Sequence, residues 1–199
     1  LDNMFSFFVY IMTGVSLIAF FLAPLILKVI FPGFAPEYFN ELLLMTRIML
    51  LSPILLGFSN FFASLTQVHH KFALYALSPI LYNLGLILGI LFLYPVFGLR
   101  GLAFGVVLGA LMHLSIQFIF IISEKLTPSF VIFPNLVDIK KVAMLSVTRS
   151  FALSVNQISI LFLSSLASLM VAGSLSVFNF SSNIQSVPPD MIHKRIGFN

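Results

Sequence analysis

The stretch GLAFGVVLGALMHLSIQFIFIIS, residues 101–123, decides the fold. It holds no Asp, Glu, Lys or Arg, and Glu124-Lys125 close it. As a helix its 23 residues would reach ~35 Å, enough to cross about 30 Å of hydrocarbon. It is far longer than the about 9–11 residues of a membrane strand, and it does not alternate with period two.

Runs of the same kind lie on both sides of it. The first covers about residues 5–31 and ends at Lys28 and Phe31-Pro32-Gly33. The second covers about 41–66 and breaks at Gln67, His69, His70 and Lys71. The third, about 72–94, stops at Tyr94-Pro95 and Gly98. After 101–123 comes a polar loop with Thr127-Pro128-Ser129 and Pro134-Asn135. A fifth run, about 138–171, has Asp138 as its N-cap candidate, and a sixth runs from Ser174 towards Pro188-Pro189. In lipid each backbone polar group must be satisfied internally, which a helix does alone. The fold class is therefore an all-α integral membrane protein, a polytopic bundle of transmembrane helices.

Composition agrees. Of 199 residues 60% are hydrophobic and 8% charged, and the mean hydropathy is +1.12. A soluble domain carries about 25% charged residues, so lipid is the solvent of most of this surface. There is no cysteine, which removes disulfides and thiolate metal sites. The 24 phenylalanines suit lipid-facing and interhelix surfaces. A formal charge of +4 reads topology here, not nucleic acid, because the charges sit mostly in short loops. One side carries Lys71, Lys125, Lys140 and Lys141; the other carries Lys28, Arg100, Glu37 and Glu41. The first side is the cytoplasmic one, so the first helix runs outward. The opening at Leu1, straight into an apolar run, is that of a fragment beginning inside a longer protein.

An ionisable residue in a spanning helix costs at least a few kcal/mol and marks function by default. Ser146, Arg149, Asn156, Gln157 and Ser164 fall on one side of the fifth helix at 100° per residue. Such a stripe either lines a water-filled cavity for an anionic substrate, or Arg149 snorkels to headgroups while the others bond neighbouring helices. Arg47 lies early in the second run, near its outer end, and Glu41 is two turns away. A structural role at a helix end fits it better than substrate contact. His113 stands alone in the fourth run and reads as a hydrogen-bonded packing residue. His69-His70-Lys71 lacks the further ligands of a metal site. Gly85 and Gly89, Gly101 and Gly105, and Gly105 and Gly109 are four apart, a spacing that permits close helix packing. Pro53 and Pro79 permit kinks. No Gly-x-Ser-x-Gly, His-Glu-x-x-His or phosphate-binding loop occurs, so nothing supports an enzyme or a cofactor.

Several stretches together resemble the MurJ/MviN family of lipid II flippases. Ala23-Pro24 with Phe31-Pro32-Gly33-Phe34 resembles the end of that family's third helix. Thr46-Arg47-Ile48-Met49 with Pro53 resembles the fourth, and Lys71-Phe72 to Ala76-Leu77-Ser78-Pro79 and Asn83 the fifth. Gly101-Leu102-Ala103-Phe104-Gly105 with Gln117 is similar to the sixth. Arg149, Asn156-Gln157-Ile158, Ala167-Ser168 and Ala172-Gly173-Ser174 resemble the seventh, and Asn179 through Pro188 the eighth.

The resemblance, which runs to about Ile192, implies a partial MOP-exporter-like fold in a bacterial inner membrane. Residues 1–123 would end the N-terminal lobe with four helices. Residues 124–137 would be a cytoplasmic linker, and 138–192 would start the C-terminal lobe. Residues 193–199 depart from the eighth-helix pattern, as a frameshift or an incomplete gene would produce. The implied partners are a lipid II-like, lipid-linked anionic substrate and membrane lipids, without nucleic acid. The implied substrate residues are Arg149 first, Asn156 and Gln157 on the same wall, then Arg47 and Asn183, where many members carry a basic residue. Helices one and two, which hold several of the family's arginines, have no counterpart in this chain. A rival reading is another exporter of the superfamily, carrying a different lipid-linked oligosaccharide or a drug. Another is a structural membrane fragment without a transport path.

Overall fold

The computed structural model describes residues 1–133, 135–171 and 173–184. In the stretch 136–156 the side chains at 136–138, 141–143, 145, 148, 149, 152, 153 and 156 lie outside the described set. The described residues form helices and connections, with no strand. The elements are α1 (Asp2–Ile30), α2 (Pro36–Met49), α3 (Leu51–Val68), α4 (Phe72–Leu88), a π-helical turn (Gly89–Leu93), α5 (Tyr94–Phe97), α6 (Leu99–Ser123) and α7 (Leu136–Ser168). A further helix, α8, covers 174–184. Among the described residues, four helical stretches are long and apolar enough to cross a membrane: Asp2–Ile30, Pro36–Val68, Phe72–Phe97 and Leu99–Ser123. The all-α membrane bundle expected from the sequence is the architecture found.

Proline places several of the boundaries. The second apolar run starts as a helix at Pro36, ahead of its first strongly apolar residues. Proline's fixed φ suits the first helical position, where no N–H partner is needed, and Glu37 in the first turn complements the helix dipole. Pro53 cannot bond the Met49 carbonyl four residues back, and the run divides at Leu50 into α2 and α3. Pro95 stands in the same relation to Leu91, which lies inside the π-helical turn. Gly98, with φ +59°, then turns the chain into α6 in a region that only glycine enters freely. Asp138 is not the N-cap expected for the fifth run. The helix begins two residues earlier, at Leu136, and puts Asp138 in its first turn.

Contacts divide the chain into two compact units, 1–23 with 40–145, and 24–39 with the chain from Ser146 onward. The divisions fall at Pro24, inside α1, after Phe39, inside α2, and after Leu145, inside α7.

The first unit is built on α6. Gly101, Gly105, Gly109, His113 and Gln117 recur every four residues. A step of four residues turns a helix by about 400°, so this ridge creeps around α6 by about 40° per step. Its glycine end meets α4 and the π-helical turn. A Cβ on Gly105 would stand 2.8 Å from Gly89 Cα, and one on Gly85 would collide with the Gly109 backbone. The predicted small-residue contacts are thus direct backbone approaches. Further along, the same ridge has turned towards α3. Phe62 of α3 and Phe120 and Ile121 of α6 are buried there together. Phe5 and Phe8 of α1 cover this side, with ring centroids 5.5 and 5.8 Å from Phe61.

Candidate substrate site

At the far end of the α6 ridge the buried polar side chains satisfy one another. Thr66 of α3 donates to Gln117 Oε1 at 2.6 Å. Gln117 Nε2 donates to Ser78 Oγ of α4 at 2.7 Å, and the Ser78 hydroxyl donates to the Leu74 carbonyl at 3.2 Å. All three side chains are essentially sealed from solvent. One residue thereby ties three helices. One turn earlier, His113 Nδ1 and the His113 carbonyl lie 2.6 and 3.0 Å from Ser59 Oγ, so His113 is a hydrogen-bonded packing residue. A buried amide leaves no orphan here, and the node reads as scaffold.

Arg47 behaves differently. Because α2 begins at Pro36, Arg47 lies eleven residues inside a spanning stretch. It stands six residues, ~9 Å of rise, past Glu41. It does not pair with Glu41. Glu41 instead accepts both Nε and Nη2 of Arg100 at 2.9 Å, across the end that charge counting assigned to the outside. The Arg47 guanidinium sits 4.7 Å from the centroid of the Phe20 ring. Its Nε is buried and has no hydrogen-bond partner.

A cation over an aromatic face gains about 0.5–2 kcal/mol. A buried, unpaired donor on a charged group costs at least about 1–3 kcal/mol. The ring therefore does not settle the donor. Arg47 lines a cavity of about 480 Å³ whose other walls are almost wholly apolar, among them Phe20, Ile48, Ile54, Phe104 and Val107. Thr13 and Ser16 of α1 add hydroxyls. The volume falls within the ~300–1,000 Å³ range of small-molecule pockets. Chemically the place is an apolar pocket with one cation whose Nε lacks an acceptor.

A model of the lipid II flippase MurJ family matches residues 1–196. The chain belongs to that family. Flipping of lipid II is the function that membership assigns it, and the match extends four residues beyond Ile192. No curated protein matches the chain.

Of the flippase residues singled out from sequence, the backbone of α7 carries Ser146, Arg149, Asn156, Gln157 and Ser164 on one continuous helix. The side chains of Arg149 and Asn156 lie outside the described residues. Gln157 is exposed, Ser164 is buried, and Asn183 is exposed on α8. Sequence reasoning missed the cavity at Arg47 because its walls come from α1, α2, α3 and α6, far apart in the chain. The available signal was an arginine within a window otherwise fit for hydrocarbon.

Proposed function

We propose that the chain handles lipid II in the bacterial inner membrane, with α1 running outward from the cytoplasm, and that it binds the lipid's pyrophosphate through arginines held at membrane depth. Arg149 is the first cation on the α7 side, and Asn156 and Gln157 shape the wall beside it. Arg47 is the second cation, and Asn183 a weaker contact on α8. The lobe division is 1–123, 124–137 and 138–192, with the tail 193–199 outside it.

The observation that carries this reading is the buried Arg47 Nε without a partner. A pyrophosphate cannot cross hydrocarbon unaided, and the guanidinium fork matches phosphate oxygens better than any other side chain. Binding would supply the acceptor that Arg47 lacks. Release then requires the bound anion to be exposed on the other face, and rocking of two lobes about a central site does that without carrying charge through lipid.

The test is lipid II flipping in proteoliposomes. Arg149→Ala is expected to abolish it and Arg149→Lys to retain part. Arg47→Met should lower it by about ten- to hundredfold, the worth of a charge-assisted hydrogen bond. Wild-type flipping rates in Arg149→Ala and Arg47→Met, with normal amounts of protein in the membrane, would remove both arginines from the substrate path.

A further inference from the structure

The segment after α6 is not a free tether. It lies along the first turns of α1 and is bonded there residue by residue. The Asp2 carboxylate accepts the Ser129 backbone N–H at 3.1 Å and the Ser129 hydroxyl at 2.6 Å. The Ser6 hydroxyl accepts the Val131 N–H at 2.7 Å while donating to the Asp2 carbonyl at 2.9 Å. The Tyr10 hydroxyl donates to the Ile132 carbonyl at 3.1 Å, and its ring packs on Phe130 with centroids 5.4 Å apart. Ser6 is completely buried beneath this segment.

The spacing explains the fit. Asp2, Ser6 and Tyr10 are four residues apart, so they stand on one side of α1 and rise ~6 Å at each step. An extended chain advances ~6.6 Å in two residues, the interval from Ser129 to Val131. Two consecutive inward-facing N–H groups of the segment thus meet two consecutive acceptors on the helix. Pro128 biases Thr127 towards the extended region, and Leu126 is packed into the cluster of Phe62, Phe120 and Ile121. Both ends of the bonded stretch are prepared for it.

We infer that residues 126–132 are a strap that fastens the connection between α6 and α7 to the inner end of α1, so that these parts move as one body. Asp2, Ser6 and Tyr10 are its positioning residues. The structural part of this inference is independent of cargo. Its functional part rests on the flippase reading: in a two-lobe transporter, the flexing needed for alternating access would lie beyond the strap, not within it.

Amide hydrogen exchange on the full chain in detergent micelles or nanodiscs tests the strap directly. The Ser129 and Val131 amides should exchange about two- to tenfold more slowly than those of Phe130 and Ile132, one hydrogen bond's worth of protection. Asp2→Ala should release Ser129, and Ser6→Ala should release Val131. Equal exchange at all four amides in the unaltered chain would overturn the inference. A second arm uses the absence of native cysteine. Asp2→Cys with Ser129→Cys, joined by a short thiol cross-linker, holds the strap closed in proteoliposomes. Flipping of a fluorescent lipid II analogue should then proceed at the unlocked rate. Loss of flipping on cross-linking would show that the strap must detach and would overturn the single-body assignment. Absence of flipping even in the unaltered chain would instead count against the flippase reading, while the exchange data would still decide the strap.

Discussion

Two polar positions inside apolar helical stretches have opposite surroundings. Gln117, on α6, has every neighbour it needs: Thr66 on one helix, Ser78 and the Leu74 carbonyl on another. Arg47, on α2, has an aromatic ring beside it and an unpartnered Nε. The same contrast holds for the helices around them. In their most apolar windows, α6 has 44% of its residues buried and α1, which walls the Arg47 cavity, has 6%. Polarity inside a membrane protein therefore says little until its partners are counted. A satisfied group holds the scaffold, and an unsatisfied cation is a request for a ligand.

The largest expected effect lies in the scaffold. Gly105→Val inserts a side chain where a Cβ would already stand 2.8 Å from the Gly89 backbone. Backbone cannot step aside as a rotamer can, so the loss should exceed the ~1–3 kcal/mol usual for overpacking. The variant should lose its cooperative thermal transition and its monodisperse peak in size-exclusion chromatography. Gly14→Val is the control, because nothing lies within 4 Å of a Cβ there. If Gly105→Val matches the control, the close approach of α4 and α6 is not what holds the first unit together.

A sharper test swaps the two polar residues for methionine. Gln117→Met removes the bonds to Thr66 and Ser78 and leaves each hydroxyl only a carbonyl of its own helix, Phe62 and Leu74; losing two hydrogen bonds should cost about 1–3 kcal/mol, read as a lower midpoint of thermal unfolding. Arg47→Met removes a half-buried cation with an unpaired Nε from an apolar pocket. It should leave the midpoint unchanged or raise it, since exchanging buried charge for apolar volume is often neutral or stabilising. The two variants should therefore separate stability from transport in opposite directions. Equal destabilisation by both would make Arg47 a scaffold residue like Gln117.

The sequence made the scaffold legible and the cavity nearly illegible, for a physical reason. Glycine spacing on α6 is a local property, so Gly101, Gly105 and Gly109 announce a close-packed face before any partner is known. Spanning helices follow from length and hydropathy in the same way. The Gln117 node depends on Thr66 and Ser78, which lie 51 and 39 residues away, and no local pattern joins them. The start of α2 at Pro36 was not legible in the apolar run, because hydropathy locates apolar residues, whereas proline starts the helix by its fixed φ. The π-helical turn has a marker in Pro95, but a proline alone does not tell a kink from a π insertion. The α7 stripe remains a matter of periodicity, because its arginine and Asn156 have no described side chains.

The smallest effect belongs to two helix ends of the same scaffold. His70 follows α3 with φ 58°, and Lys125 follows α6 with φ 56°. In each case the next residue bonds back to the last turn: Lys71 N–H to the Thr66 carbonyl at 3.0 Å, and Leu126 N–H to the Ile121 carbonyl at 2.9 Å. These are glycine-type helix caps occupied by residues with a Cβ. His70→Gly and Lys125→Gly relieve that left-handed strain, but glycine also enlarges the freedom of the unfolded chain, so the gain from relief is at most about 1 kcal/mol. The two should not be equal. Lys125 carries its positive charge at the negative end of the α6 dipole, an interaction worth about 0.3–1 kcal/mol that glycine discards. His70 gives up only a ring contact with Phe72 at 5.8 Å. His70→Gly should thus raise the thermal midpoint slightly and Lys125→Gly should leave it level or lower it. Added salt should narrow the difference, since it screens the dipole interaction and not the strain. A difference that survives high salt would mean that Lys125 holds the α6 end by something other than its charge, and Leu126, the first residue of the strap, is the neighbour to test next.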